Sequence, residues 1–491
     1  MNRLTIALLL LGVGLRTAAF ASERSLWIDE AMVALNIVER SPAQLFEPLD
    51  RNQGAPVGFL LATKASVELF GPTERALRLP AFLASLVGLF AFGSAAYRLL
   101  PRASAHLALA LVAVSPSLVS YAAECKQYSF DAAFAALLLA LAVPFFQGPA
   151  NWKIWLAFAG VGAVSVWCSH PAIFVLAGLG IALSAMATIR RDRSRITALI
   201  LLGGAWLISF AAVYFVNLRH LGHNDYLIRY WAGHFAPWPT SRNGVIWYVD
   251  HALAFVNEPA GMAGENRIVQ GMVFLLGALG GFAMWMPGKS QTSPAVIVTA
   301  WLLTVALTLF ASCIQLYPFA GRLLLFFVPM ACLFWGGGAM WLCAQFGRRG
   351  FVLGVLLVIW PLIQSVKPID GPERAEEIRP MLERVKSDWR AGDRIYVYGG
   401  SGDAGAGPAF DFYSPRYDFP VESVIRGGIH RELPSKYRDE ISKLPAGRIW
   451  VLVTHRYRHE ESVILAAFEE RGSVHPVLIV PGGSLHLYSP P

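Results

Sequence analysis

The sequence is poor in charged residues. Only 15% of its 491 residues are charged, whereas 55% are hydrophobic. Soluble domains carry about 25% charged residues, so this composition excludes an ordinary soluble enzyme. Lys and Arg exceed Asp and Glu, 41 against 33, which gives a formal net charge of +8. The basic residues lie in short clusters between long apolar runs, a distribution typical of a polytopic membrane protein rather than of a nucleic-acid-binding one.

Cysteine is also scarce. Five scattered cysteines are too few for a disulfide framework, and the sequence contains no C-x-x-C or Cys/His metal pattern. These absences give no support for redox chemistry. A single disulfide near one membrane surface remains the alternative.

Long apolar runs divide the first 366 residues into candidate membrane spans. Each run has roughly 16–23 residues, about enough for a helix to cross ~30 Å of hydrocarbon. The runs lie at about 4–21, 76–98, 104–120, 128–146, 153–169, 171–189, 196–216, 268–286, 294–315, 322–345 and 350–366. The sequence therefore predicts an α-helical polytopic membrane protein with about 11 transmembrane helices.

Basic residues between the runs predict the orientation. They fall on one side of such a bundle, and the positive-inside rule places that side in the cytoplasm. These residues are Arg3, Arg98, Arg102, Lys153, Arg190, Arg191, Arg193, Arg195, Lys289, Arg348 and Arg349. The N-terminus is then cytoplasmic, and the loops 22–75 and 217–267 and the C-terminal region lie outside. Arg3 and Ala19-Phe20-Ala21 also resemble a cleavable signal peptide, but Arg16 interrupts the stretch, so we expect an uncleaved span.

From about residue 368 the composition becomes that of a soluble domain. Residues 372–389 have helical spacing. Three β-branched segments typical of short strands follow: Arg394–Tyr398, Arg448–Thr454 and Val474–Val480. The sequence thus predicts a transmembrane domain, 1–367, and a small α/β extracytoplasmic domain, 368–491.

Two short patterns in this domain resemble ligand-binding motifs. Gly400–Gly405 matches G-x-G-x-x-G after a strand, but Gly407-Pro408 is expected to interrupt the helix that a dinucleotide site needs, so we interpret it as a flexible loop. His455 and His459 are four residues apart beside Glu460, a spacing that on a helix can bind metal. Because this segment follows a strand and contains two arginines, we interpret it as an exposed basic turn.

The few ionisable residues near the apolar runs mark a candidate site. Charged side chains at membrane depth are costly, so those that are kept there are functional candidates. In the predicted topology they lie at the outer ends of the spans: Asp29, Glu30, Arg75, Arg78, Glu124, Lys126, His170 and Arg322. A site at this boundary suits a substrate with a lipid tail in the bilayer and a polar head outside.

The residue types suggest two functions for the site. A positioned carboxylate such as Asp29 can act as a general base toward a hydroxyl. It follows Trp27, an aromatic residue suited to anchoring a loop at an interface. Lysine and arginine neutralise a phosphate, and the available cations are Lys126, Arg78 and Arg322.

Structural interpretations of the same residues stay open. Asp29 is suited to capping a helix, Glu124 and Lys126 to an exposed ion pair, Arg322 to anchoring its helix in the headgroups, and His170 to a polar turn. The loop 217–267 is rich in aromatic residues, including Tyr230-Trp231 and Trp247-Tyr248. We interpret these rings mainly as interfacial, with acceptor contact as a secondary role.

Four segments resemble bacterial members of glycosyltransferase family 39 and their relatives in the GT-C superfamily, which includes protein O-mannosyltransferases and the lipid A aminoarabinose transferase. They are Ser25–Ala31, Leu69–Pro80, Glu124–Ser129 and Gly321–Pro329. Their order and spacing agree over about residues 1–366. The resemblance implies a GT-C fold and transfer of a sugar from a polyprenyl-phosphate donor to an acceptor hydroxyl at the outer face of the bacterial inner membrane.

The resemblance also implies roles for residues of this chain. Asp29 is the expected base, with Glu30 and Glu124 as catalytic carboxylates that orient the cations. The implied ligands of the donor phosphate are Lys126, Arg78 and Arg322, and the candidate substrate contacts are His170, Tyr128 and Trp27. The chain departs from the family pattern in two places: Asn52–Pro56 stands where relatives have an acidic residue or His before Pro-Pro, and Lys126 stands where they have Arg.

No cofactor is demanded by the sequence, which has no paired Asp motif, although a divalent cation is left open. The expected partners are the bilayer, the lipid-linked donor and an acceptor lipid, glycan or protein, and no nucleic acid. Two alternatives remain. A transporter or flippase of lipid-linked saccharides is expected to have polar groups near the midplane and internal repeats, which this sequence lacks. A non-catalytic family member would act as an assembly partner.

Overall fold

The computed structural model of the protein describes residues 2–148, 150–222, 224–286, 294–370, 376–457 and 459–491. Lys289 and the first residues of the helix predicted at 372–389 lie outside this described part. Seventeen helices of the described chain precede residue 371: α1 (Arg3–Ala21), α2 (Ile28–Glu39), α3 (Val57–Phe70), α4 (Glu74–Leu99), α5 (Arg102–Val114), α6 (Pro116–Ser120), α7 (Tyr128–Gln147), α8 (Trp152–Cys168), α9 (Ala172–Ile189), α10 (Arg193–Val213), α11 (Arg219–Leu221), α12 (Asp225–Tyr230), α13 (Arg242–Asn257), α14 (Arg267–Trp285), α15 (Ala295–Cys313), α16 (Val328–Phe346) and α17 (Arg348–Asp370).

Eight helices within the described ranges are long and apolar enough to cross a membrane. They are α1, α4, α7, α9, α10 with its extension to Leu221, α14, α15 and α16 with the 3₁₀ turn Gly321–Phe327 before it. The pair α5 and α6, bent by 52°, makes a ninth if it crosses as one span. α8 and the part Gly354–Lys367 of α17 are apolar but shorter. Each predicted run therefore falls on one of these helices, and the predicted polytopic helical architecture is confirmed.

The bend between α5 and α6 is held by a buried arginine of α1. Pro116 has no N–H, so the carbonyl of Val112 lacks the donor that a continuous helix would give it. Arg16 supplies this donor: its guanidinium donates to the carbonyls of Val112, Ala113 and Gly12, each at 3.0 Å. Arg16, the charged residue within the first apolar run, thus stabilises the bent helix pair α5 and α6.

The C-terminal domain is a five-stranded mixed sheet with helices. Its elements are α18 (Ile378–Ser387), β1 (Arg394–Val397), α19 (Gly407–Tyr413), β2 (Val424–Arg426), α20 (Ser435–Ser442), β3 (Ile449–Thr454), α21 (Glu460–Glu469), β4 (Ser473–Val480) and β5 (Gly483–Ser489). The strand order is β2-β1-β3-β5-β4, with β1 parallel to β2 and β3, and β5 antiparallel to β3 and β4. The central strand β3 is buried along its whole length, as expected for a strand covered on both faces.

The predicted α/β domain is confirmed, with two differences in detail. β2 and β5 were not predicted, because β2 has only three residues and β5 combines glycine, serine and histidine with its apolar positions. The expectation that Gly407-Pro408 interrupts a helix was wrong. Proline at the first turn of α19 loses no hydrogen bond, since the first N–H groups of a helix have no partner within it.

The C-terminal domain packs on the loop between α1 and α4, which contains α2 and α3. α19 contacts α2. One buried apolar cluster includes Leu26 and Ala31 from the loop together with Phe410 and Tyr413 from α19. The five cysteines are free thiols, so the disulfide alternative was wrong.

Candidate active site

The start of α2 carries two adjacent carboxylates with different surroundings. Asp29 and Glu30 lie in its first turn, where successive side chains project about 100° apart around the helix axis. Asp29 lines a cavity and its side chain is 23% exposed, whereas the Glu30 side chain is fully buried. The two predicted catalytic carboxylates therefore face different parts of the protein.

The cavity lies between the ends of the membrane helices, the helices α12 and α13, and the C-terminal domain. Its volume is about 1280 Å³. Six of the nine predicted site residues line it: Trp27, Asp29, Lys126, Tyr128, His170 and Arg322. These residues come from four separate stretches of sequence, so the fold brings them together.

Asp29 forms an ion pair with Arg322. A guanidinium nitrogen of Arg322 lies 2.6 Å from Asp29 Oδ2. The same guanidinium lies over the rings of Trp27 and Tyr128, with its central carbon 5.5 and 5.6 Å from their centroids. Burial alone would raise the pKa of Asp29, but the charges of Lys126 and Arg322 together hold this pKa below its usual value. Asp29 is therefore ionised at neutral pH.

Lys126 is the second cation at the cavity. It is 5% exposed, and its Nζ donates to Gln53 Oε1 at 3.0 Å. Burial lowers the pKa of Lys126, while the charge of Asp29 opposes this shift. Gln53 belongs to the segment Asn52–Pro56, so the two departures from the family pattern contact each other.

Glu30 and Arg78 form a buried pair behind the cavity wall. Arg78 donates to both oxygens of Glu30, at 2.9 and 2.8 Å, and Cys125 N–H donates to Glu30 at 2.7 Å. Arg78 also donates to the carbonyls of Arg24 and Ser25. With 2% of its side chain exposed, Arg78 faces Glu30 and the loop instead of the cavity.

This geometry changes the predicted role of Arg78. A phosphate in the cavity would not reach a guanidinium whose N–H groups are already bound to Glu30 and loop carbonyls. Glu124 is also outside the cavity lining: it is 1% exposed and lies 3.6 Å from the Arg24 guanidinium. Glu30, Arg78 and Glu124 therefore connect α4 and the start of α7 to the Asp29 loop, and none of the three lines the cavity.

His170 lines the cavity beside a distorted helix. Its Nε2 lies 3.2 Å from Oδ1 of Asn217, a residue of the π-helical turn Tyr214–Leu218 that follows α10. Burial lowers the pKa of His170 to about 4, so the ring is neutral at pH 7. An amide oxygen only accepts, so Nε2–H is the donor.

The aromatic residues of 217–267 divide into two groups. Consecutive ring contacts join Tyr226, Tyr230, Trp231 and His234, with centroid separations of 6.3, 5.2 and 5.6 Å, and all four line the cavity. Trp247 instead stacks on His251 at 3.6 Å. The first group lines the cavity, whereas sequence reasoning had interpreted the rings of this loop mainly as interfacial.

Three polar cavity residues from the C-terminal domain were missed as site residues. Asp403 pairs with Arg51 at 3.3 Å, Arg431 with Glu460 at 3.3 Å, and His455 with Glu376 at 2.7 Å. Arg456 and His459 are exposed, as expected for the basic turn predicted at 455–460. His455 nevertheless lines the cavity, and Glu460 is 8% exposed and accepts from the hydroxyls of Tyr398 and Tyr437. Only the tertiary packing brings these residues to the cavity, so no local sequence signal could have found them.

A divalent cation does not fit the residues of this site. Among the residues that the structure describes, no group of three His, Cys, Asp or Glu side chains is placed to hold a metal ion. Asp29 already faces two cations, Lys126 and Arg322, which would repel a third.

Comparison with solved structures identifies the fold. No family model and no curated protein matches the sequence. The oligosaccharyltransferase of Archaeoglobus fulgidus, in complex with Zn and sulfate, aligns over 99% of this chain and 73% of its own at 12% identity and a TM-score of 0.51. The same protein tethered to an acceptor peptide aligns over 99% and 74% at 12% identity and a TM-score of 0.50. ArnT from Cupriavidus metallidurans aligns over 99% and 98% at 13% identity and a TM-score of 0.44. The two oligosaccharyltransferase alignments show the fold of this chain, which agrees with the GT-C fold that the four sequence segments predicted.

Proposed function

We propose that the protein is an integral-membrane glycosyltransferase that moves a sugar from a polyprenyl-phosphate donor to an acceptor hydroxyl at the outer face of a bacterial inner membrane. The observation that carries the proposal is the grouping of Asp29, Arg322 and Lys126 on one cavity at the ends of the membrane helices. A carboxylate between two cations suits a reaction in which a hydroxyl attacks and a phosphate leaves.

The cations supply the donor side of the site. Arg322 has further N–H groups besides those that meet Asp29, and Lys126 can exchange its amide partner Gln53 for a phosphate oxygen. Both residues lie directly at the starts of membrane helices, Arg322 before α16 and Lys126 before α7. A lipid-linked phosphate would meet them with its tail among apolar cavity residues such as Phe174 and Leu323.

Asp29 supplies the acceptor side. The acceptor hydroxyl gives its proton to the Asp29 carboxylate, its oxygen forms a bond to the anomeric carbon, and the bond from that carbon to the phosphate oxygen breaks. The electron pair leaves with the polyprenyl phosphate, whose negative charge Arg322 and Lys126 stabilise. Binding of the donor phosphate offsets the positive charge around Asp29, which raises its pKa and makes it a better base.

A transfer assay tests this proposal. The purified protein in lipid nanodiscs is incubated with radiolabelled undecaprenyl-phosphate pentoses and hexoses and a total envelope lipid extract as acceptor pool. Movement of label from the donor to an extract component supports a transferase. Intact donor that crosses the bilayer of proteoliposomes without loss of its sugar would instead indicate a flippase.

A further inference from the structure

Three backbone N–H groups just before Asp29 donate to side chains of the C-terminal domain. The pairs are Ser25 N–H with Glu377 at 3.0 and 3.2 Å, Leu26 N–H with the Tyr413 hydroxyl at 2.8 Å, and Ile28 N–H with Glu376 at 2.9 Å. The N-cap position of α2 is Trp27, and an indole has no acceptor with which to cap a helix. The acceptor for the first N–H of α2 therefore comes from another domain, as do the acceptors for two N–H groups just before the helix.

Glu376 connects this helix start to the cavity. One of its oxygens accepts from Ile28 N–H, and the other lies 2.7 Å from Nδ1 of His455. The Glu376 side chain is 8% exposed, whereas that of His455 is 39% exposed and lines the same cavity as Asp29. His455 directly follows β3 and has a φ of +50°, a left-handed conformation that is uncommon for a residue with a side chain. One buried carboxylate thus holds both the start of α2 and the His455 ring.

The position of His455 assigns it to one side of the reaction. In a displacement at the anomeric carbon, the attacking and leaving oxygens lie on opposite sides of that carbon. The leaving phosphate belongs with Lys126 and Arg322, next to the membrane helices. His455 comes from the domain that packs on the α2–α3 loop, so it faces the cavity from a different wall. With Nδ1 bound to Glu376, Nε2 is the ring nitrogen that remains for a substrate.

We propose that His455 binds the acceptor beside Asp29 and that Glu376 is the positioning residue that fixes both His455 and the Asp29-bearing start of α2. The C-terminal domain is then an integral part of the active site. This inference rests on the proposed transferase function and extends it to the acceptor side.

Two variants with matched controls test the inference. Glu376→Gln and His455→Ala are compared with Glu422→Gln and His475→Ala, which change exposed residues of the same domain away from the cavity. Each full-length protein is examined by amide hydrogen exchange at residues 26–31, by its affinity for undecaprenyl phosphate, and by sugar transfer from labelled undecaprenyl-phosphate donors to the envelope lipid extract.

The expected results distinguish the positioning role of Glu376 from the acceptor-binding role of His455. Glu376→Gln speeds exchange at residues 26–31 about fivefold or more, because a cap acceptor is weakened, and it lowers transfer by about tenfold or more. His455→Ala leaves exchange and undecaprenyl phosphate affinity near those of the wild type but lowers transfer by about tenfold or more, with the loss in kcat/KM for the acceptor pool. The two control variants match the wild type in all three measurements.

Other results overturn the inference. Wild-type transfer by His455→Ala removes His455 from the acceptor side, and wild-type exchange in Glu376→Gln removes the positioning role of Glu376. If the wild-type protein itself transfers no sugar, the proposed function fails, and with it the acceptor role of His455. Hydrogen exchange then still decides whether Glu376 fixes the start of α2.

Discussion

The guanidinium of Arg322 lies 2.6 Å from a carboxylate oxygen of Asp29, although nearly three hundred positions of sequence separate the two residues. Both line the same cavity. This pair joins the first loop of the protein to the start of α16. It places the proposed base next to a cation that the leaving phosphate needs.

Asp29→Asn is expected to lower sugar transfer by about 100-fold or more, because an amide cannot take the acceptor proton. Expression and the affinity for undecaprenyl phosphate should stay close to the wild type, since the neighbouring cations remain. Glu47→Gln, an exposed change in the same loop, serves as the control and should transfer normally. Turnover by Asp29→Asn at the wild-type rate would remove Asp29 from the role of base.

Lys126→Ala is expected to weaken undecaprenyl phosphate binding by about tenfold, a loss of about 1.4 kcal/mol. Lys126→Arg should retain most of the affinity because the positive charge is kept. Fluorescence titration of the purified proteins with undecaprenyl phosphate measures the affinities of both variants. Lys443→Ala, at an exposed lysine, is the control. Equal affinity in Lys126→Ala and the wild type would contradict the assignment of Lys126 to the donor phosphate.

The dependence of sugar transfer on pH is expected to follow the pKa of the Asp29 carboxyl group. The neighbouring cations hold the pKa of Asp29 below its usual value, so the carboxylate stays ionised, and kcat/KM should not fall with acidity until the pH is below about 4. Removing one positive charge raises the pKa of Asp29. Lys126→Gln should therefore move the acid limb of kcat/KM to higher pH. An acid limb at the same pH in Lys126→Gln and the wild type would contradict this electrostatic account.

Sequence reasoning located the spans and six residues of the cavity because both follow from local signals. A run of apolar residues predicts a membrane helix wherever it occurs, and charges at the ends of such runs are few enough to be candidates. The same reasoning could not separate Arg78 from Arg322. Both are arginines at the start of a predicted span, but Arg78 is turned toward the buried Glu30 and Arg322 toward the cavity.

Sequence reasoning did not predict that the C-terminal domain contributes residues to the cavity, and the reason is a different one. His455 and Glu376 are 79 residues apart, and nothing in either local segment indicates that they meet. Their contact depends on the fold of the C-terminal domain, and only the packing of that domain on α2 brings both residues to the active-site cavity. The G-x-G-x-x-G segment shows the same effect, since Ala404 of that segment packs beside Trp27 and Met32.

Arg78→Ala is expected to destabilise the protein instead of acting on the donor alone. Removing the guanidinium leaves the buried Glu30 carboxylate without its ion-pair partner, which costs about 3–5 kcal/mol for a buried pair. The exposed Arg75, with 60% of its side chain accessible, is the matched control three residues earlier, and Arg75→Ala should change stability by less than about 0.5 kcal/mol.

Thermal unfolding of Arg78→Ala in detergent, with and without undecaprenyl phosphate, distinguishes a structural role of Arg78 from a phosphate-binding role. A structural Arg78 lowers the melting temperature in both conditions and leaves the stabilisation by undecaprenyl phosphate unchanged among the molecules that remain folded. A phosphate ligand would show the reverse, with a near-normal melting temperature and a lost response to undecaprenyl phosphate, and that result would return Arg78 to the donor site.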